Sequence, residues 1–189
     1  MRTLTVLVSF GVLLVAVACS QWSIQTDFDP TASFSTLHTY AWYSAEQPES
    51  GDPRLDDPIL DKHIRDAVES ALDARGYEKV GTNPNFLLVY HALVSKEVEV
   101  TTTATPVYAA GYYGWRYVGS PVWVEQPVAR TYDKGSLILD IIDTQSDRMI
   151  WRGSIQAELD QMATPEVRAQ RINAAVKEML AKFPPGSAK

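Results

Sequence analysis

Residues 148–160 constrain the fold more than any other stretch. Met149, Trp151, Ile155, Ala157 and Leu159 fall on one side of an extended chain, and Arg152, Gln156 and Glu158 on the other. Side chains of a strand alternate between faces, so this run belongs to a sheet covered on one side and wet on the other. The run at about 129–143 is its natural hairpin partner across Gln145-Ser146-Asp147. If Asp140 lies opposite Arg152, Leu137 meets Ile155 and Ile141 meets Trp151. A slip of one residue would set apolar against polar side chains along the hairpin. The pattern therefore predicts a three-residue loop and a structural Asp140–Arg152 pair.

The remaining elements follow from similar periodicities. Trp22–Phe28 alternates as a half-buried strand, and His38–Tyr43 reads as a second, aromatic-rich one. Asp57-Pro58 opens a helix, Asp57 as N-cap and Pro58 at the first helical position. Leu60, Ile64, Ala67, Val68, Ala71 and Leu72 form its apolar stripe, and Gly76 closes it. A long strand covers 86–103. A second helix starts at Thr164-Pro165, turns Val167, Ile172, Val176, Met179 and Leu180 inward, and stops at Phe183-Pro184-Pro185. Asp133 and Lys134 before Gly135 suggest a bend or bulge. Two amphipathic helices on one face of a mostly antiparallel sheet make an α+β two-layer sandwich.

The N-terminus supplies an address. Arg2 precedes an apolar run from Leu4 to Ala18, too short for the roughly 20 residues of a membrane-spanning helix. Residues 1–18 read as a secretory signal. The small residues before Cys19 suit an ordinary signal peptidase or the lipoprotein one, which cuts before a cysteine and leaves it acylated. Cys19 is the only cysteine, so no intramolecular disulfide is possible, and lipidation gives the lone thiol a purpose. Residues 19–23 then form a lipidated cysteine and short tether, with Cys19 about three residues, or roughly 10 Å at full extension, from the first strand. Ser20 and Gln21 lack the acidic residue that retains lipoproteins in the inner membrane in the enterobacterial pattern. The expected location is the periplasmic face of the outer membrane, the partner there being the membrane through acyl chains on Cys19.

After cleavage about 171 residues remain, enough for one domain at 24–184 with a tail at 185–189. The formal net charge of -6 and the absence of a Lys/Arg cluster exclude a phosphate-binding surface, and with it nucleic acid. His38, His63 and His91 have no ligand-type neighbour at metal spacing, so neither a metal nor another cofactor is expected. Asp140 and Asp143, three apart in a strand, point to opposite faces and do not converge on one substrate atom. No nucleophile elbow or phosphate-cradling glycine loop is present. No catalytic residue is assigned.

One segment fits none of these patterns. Tyr108–Trp123 contains six aromatics interleaved with three glycines, and reads as part of a loop over 106–127 between two long strands. Three interpretations stand: a mobile connection, a docking surface for another envelope protein, or a platform for sugar or lipid. The residues concerned are Tyr112, Tyr113, Trp115, Arg116, Tyr117 and Trp123.

The chain also resembles a family of bacterial envelope lipoproteins known only as domain of unknown function 4136. The resemblance rests on Asp29 with Phe34, Thr39-Tyr40-Ala41-Trp42, Arg75-Gly76-Tyr77 and Asn83-Pro84-Asn85-Phe86. It continues through Gly135-Ser136-Leu137, Leu139-Asp140, Asp143, Trp151-Arg152-Gly153 and Phe183-Pro184. Asn85 stands where the family more often has Asp. The resemblance implies an envelope location and a fold, but no reaction. The expectation is a non-enzymatic binding or scaffold module of the cell envelope. The alternatives are a module that binds peptidoglycan or lipopolysaccharide sugar and, third, a hydrolase.

Overall fold

The computed structural model describes residues 22–44, 50–113 and 116–186, with the side chains of 108–122 left aside. The signal segment 1–18, Cys19 with Ser20 and Gln21, Trp115 and tail residues 187–189 lie outside the described residues.

Local chemistry accounts for both helices. Asp57 accepts from the Ile59 N–H at 2.8 Å and starts α1 (Pro58–Asp73). At its far end Tyr77 N–H reaches the Leu72 carbonyl and Gly76 N–H the Asp73 carbonyl. Gly76 has φ +85°, so the helix ends in a Schellman turn that a side chain would strain. Thr164 caps α2 (Pro165–Leu180) through Val167 N–H.

The strands are β1 (Trp22–Phe28), β2 (Thr39–Trp42), β3 (Glu78–Lys79), β4 (Phe86–Tyr113), β5 (Arg116–Asp143) and β6 (Arg148–Glu158). They form one sheet in the order β1-β6-β5-β4-β2-β3. The first three neighbouring pairs are antiparallel, but β2 runs parallel to both β4 and β3. The sheet is thus mixed: three of its five pairs are antiparallel, as expected, and the two made by β2 are parallel, which was not expected. The path from β2 to its parallel neighbours passes through α1, the kind of crossover that parallel pairing requires.

Both helices cover one face. Tyr40, Phe86, Leu88, Leu139, Ile141 and Trp151 are buried from the sheet side. Val68, Leu72, Val176, Met179 and Leu180 meet them from the helices. Each such side chain contributes roughly 1.5–3 kcal/mol when fully buried. Polar tips orient the layers. Tyr90 Oη donates to Asp61 at 2.6 Å, and Trp42 Nε1 to Glu69 at 2.7 Å. Burial, and then the Asp61 carboxylate, push the Tyr90 phenol well above its ordinary value.

The β5/β6 register places Asp140 opposite Arg152, Leu137 opposite Ile155 and Ile141 opposite Trp151. The connection is four residues, Thr144–Asp147, not three, and a bulge interrupts the ladder between Ile141 and Ile142. The bulge reverses the alternation beyond it, so Ile150 is buried and Met149 exposed, contrary to the strict period-2 reading. Leu159, past the end of β6, and Val167, in the first turn of α2, are also exposed. Asp133 and Lys134 continue β5 without the expected bend.

Asn85 ties β2 to the start of β4. Its Oδ1 accepts from His38 N, Thr39 N and Thr39 Oγ1, each at 3.0 Å. The position needs an acceptor, a role that a carboxylate oxygen would fill equally well. Asn85→Ala is expected to lower stability by about 2 kcal/mol, since two backbone N–H groups lose their partner. Asn85→Asp should match or exceed wild type in a urea melt; a loss comparable to that of Ala would show that the amide itself is required.

Candidate functional site

The segment expected as a loop over 106–127 is strand. β4 and β5 pair rung for rung from Phe86↔Asp143 to Tyr113↔Arg116. The β6 partner of β5 extends only to Lys134, and β2 pairs with β4 only as far as Leu88. Past Lys96/Asp133 the two strands therefore pair only with each other, forming a ribbon about 60 Å long. Sequence reading missed it because prolines, glycines and uncharged residues erase alternation when neither face is buried.

The prolines nevertheless carry the register. Thr102↔Pro127, Pro106↔Trp123 and Tyr108↔Pro121 all fall on the same class of rung, with even numbers on β4. Tyr43 N–H donates to the Leu88 carbonyl at 2.9 Å, so even-numbered β4 residues present their backbone away from β5. Leu159 N–H donates likewise to Asp133, the partner of Lys96. Pro lacks an N–H, and these are the rungs where its absence costs no ladder bond. Pro106 consequently interrupts the outer edge of β4, and Pro121 and Pro127 that of β5. Both edges are poor templates for another strand.

The faces carry the contact chemistry. Every residue from Val98 to Val107 and from Trp123 to Thr131 is exposed. Val98, Val100, Val107, Val124 and Val128 are among them, and Trp123 is 65% exposed. Lys96, Glu97, Glu99, Arg130, Asp133 and Lys134 gather at the base, whereas residues 101–128 include only Arg116 and Glu125 as charges. Tyr112↔Tyr117 and Tyr113↔Arg116 are the last two rungs, either side of positions 114–115. The ribbon brings together four of the six aromatic-segment residues at its tip; Trp123 lies farther down β5.

Asp140 and Arg152 lie on the sheet face opposite the helices. Arg152 Nε and Nη2 donate to the two carboxylate oxygens at 2.6 and 2.7 Å. Asp140 is only 6% exposed, and its hydrogen bonds hold the guanidinium charge more firmly, raising the Arg152 pKa. His91 Nε2 stands 3.9 Å from Asp140 Oδ2, a neighbour the linear spacing did not reveal. Half-buried Leu87, Val89, Ile138 and Ile142 surround this cluster. The two-point Arg152–Asp140 contact ties β5 to β6 on this face of the sheet. Among the described residues no group of three or more His, Cys, Asp or Glu side chains is arranged to hold a metal, and no helix is long and apolar enough to cross a membrane.

A cleft of about 530 Å³ opens between the helices and the sheet at the foot of the ribbon. Ala92, Gly135, Leu137, Ile155 and Ala157 form its floor, α1 and α2 its walls, and Trp22 part of its border. The signal in the sequence was faint: two small residues facing each other on one rung, Gly135↔Ala157, on the face that otherwise carries large ones.

A PDZ domain protein from Parabacteroides distasonis is similar in fold, with a TM-score of 0.53 at 14% identity over 87% of this chain. This chain spans 36% of that protein's length. A PelC dodecamer structure from Paraburkholderia phytofirmans aligns with a TM-score of 0.44 at 12% identity, covering 85% of this chain and 95% of that one. Comparison with curated proteins yields no match. The family model described as Domain of unknown function (DUF4136) matches residues 24–185, nearly all of the sheet and both helices, and the chain belongs to that family.

Proposed function

We propose that this protein is a lipoprotein anchored by Cys19 at the periplasmic face of the outer membrane, serving as a non-enzymatic binding or scaffold module of the cell envelope. The observation that carries the reading is the ribbon. Two strands that pair only with each other bury little of their own apolar surface, and an isolated two-stranded ribbon is marginal in water. Exposed Trp123 and five exposed valines on such an arm are suited to burial by a partner. The prolines on both edges disfavour strand addition, so recognition runs through side-chain faces. Another envelope protein is the preferred partner. Sugar is the alternative, supported by the exposed indole of Trp123, which offers a flat stacking surface.

Removing residues 104–125 and joining Thr103 to Gln126 through Asn-Gly should leave the domain's cooperative melt in place, since those two residues are register partners. In the intact protein a photocrosslinker at Tyr113 should form an adduct in living cells that co-expressed intact protein, but not the deletion variant, competes away. A discrete protein adduct supports docking and a glycan adduct the alternative. No adduct, with the protein correctly exported, would count against an interaction arm. Export and acylation are tested separately, by palmitate incorporation that disappears in Cys19→Ala.

A further inference from the structure

We propose that the cleft between the helices and the sheet receives one acyl chain carried by this protein's own Cys19. The inference rests on the lipid-anchor reading above and adds a place for part of the anchor.

The cleft has the size of a small-molecule site, which is roughly 300–1,000 Å³. Its interior is aliphatic: Leu60 and Ile64 from α1, Leu137 and Ile155 from the sheet, Ile172 and Val176 from α2. Ala157 keeps the floor low, and Leu159 packs over Gly135 as one more aliphatic part of the lining. Such an aliphatic surface recognises a hydrocarbon chain by burial.

Two observations select which chain enters. Trp22 borders the cleft and is held there by its indole N–H donating to Glu178 on α2 at 2.7 Å. Cys19 precedes it by three residues, a reach of about 10 Å, so a chain attached there is present at an effective concentration of order millimolar or more. Of the three arginines that line the rim, two are engaged in ion pairs. Arg54 pairs with Asp52 and Asp133, Arg171 with Asp160, and Arg168 donates to the Ala163 carbonyl. A free anionic lipid would have to break these pairs, whereas a tethered chain brings no new headgroup to the rim. With one chain in the cleft and the others in the bilayer, the domain is pinned with its β1 and α2 side at the membrane.

The test uses the full-length protein made in cells fed palmitate bearing a mid-chain diazirine. After irradiation and digestion, the Cys19 peptide should be joined through its acyl chain to peptides containing Leu60, Leu137, Ile155 or Ile172. Ala157→Trp from the floor and Leu60→Trp from the wall should each remove that crosslink while leaving the label on Cys19. Labelled Cys19 crosslinked only to bilayer lipid would overturn the proposal. So would a cleft crosslinked to free probe lipid and not to the Cys19 chain, which would make it a site for exogenous lipid. An unlabelled Cys19 peptide would instead remove the anchor reading itself, a result distinct from both.

Discussion

Phe183→Ala is expected to lower the stability of this domain by about 4 kcal/mol, the upper part of the range for truncating a buried aromatic. Phe183 follows α2, beyond the last helical turn, yet it is fully buried. Its ring lies 5.4 Å from that of Trp151, 5.6 Å from Tyr77, 5.9 Å from Phe86 and 6.0 Å from Phe34. Those four rings belong to β6, the segment after α1, the start of β4 and the short helical turn after β1. The Phe183 carbonyl also accepts from the Arg75 guanidinium. One side chain thus holds four separate segments, and its removal leaves a cavity that none can collapse into without leaving another contact. For a domain of this size the expected fall in Tm is about 12 °C, whereas Phe183→Leu should cost less than about 1.5 kcal/mol. If Ala and Leu were equally mild, the aromatic cluster would not be the source of stability.

Gly153→Ala is expected to cost about 2–3 kcal/mol although it adds one methyl group. A Cβ at this position would collide with Cη2 of Trp151 and lie 2.8 Å from Cγ and Sδ of Met179. Trp151 and Met179 are both fully buried, so neither can retreat freely, and Met179 of α2 lies directly over Gly153 of β6. Glycine is required here for close approach of helix to sheet; its φ is not in the left-handed region. A double-mutant cycle separates the two obstacles. In Met179→Ala the added methyl should be tolerated better by about 1 kcal/mol, while strict additivity would leave the clash with Trp151 as the sole cause.

These two positions belong to short sequence pieces whose roles in this chain are structural. Trp151-Arg152-Gly153 alternates across the sheet: Trp151 and Gly153 shape the helix-facing side, and Arg152 fixes Asp140 on the other. Arg75-Gly76-Tyr77 closes α1 and brings Arg75 and Tyr77 onto Phe183. Asn85 supplies an acceptor at the junction of β2 and β4. The pieces are architectural, and the parts available to a partner lie elsewhere, on the ribbon and in the cleft.

What could be read from sequence alone was whatever one buried face imposes. Both helices announce themselves by N-caps, proline at the first position and apolar stripes, because capping and amphipathicity are local. The β5/β6 register was legible because a slip would have exposed a core face. Where burial stops, so does legibility. The ribbon has no covered side, so nothing in residues 101–128 enforces alternation, and only its prolines, sorted by rung, encode the pairing. The parallel placement of β2, the bulge that turns Met149 outward, the approach of His91 to Asp140 and the cleft beside Trp22 were decided by tertiary structure. All but the bulge, which lies within one hairpin, depend on residues far apart in the chain meeting across the sheet, and no local propensity registers such a meeting.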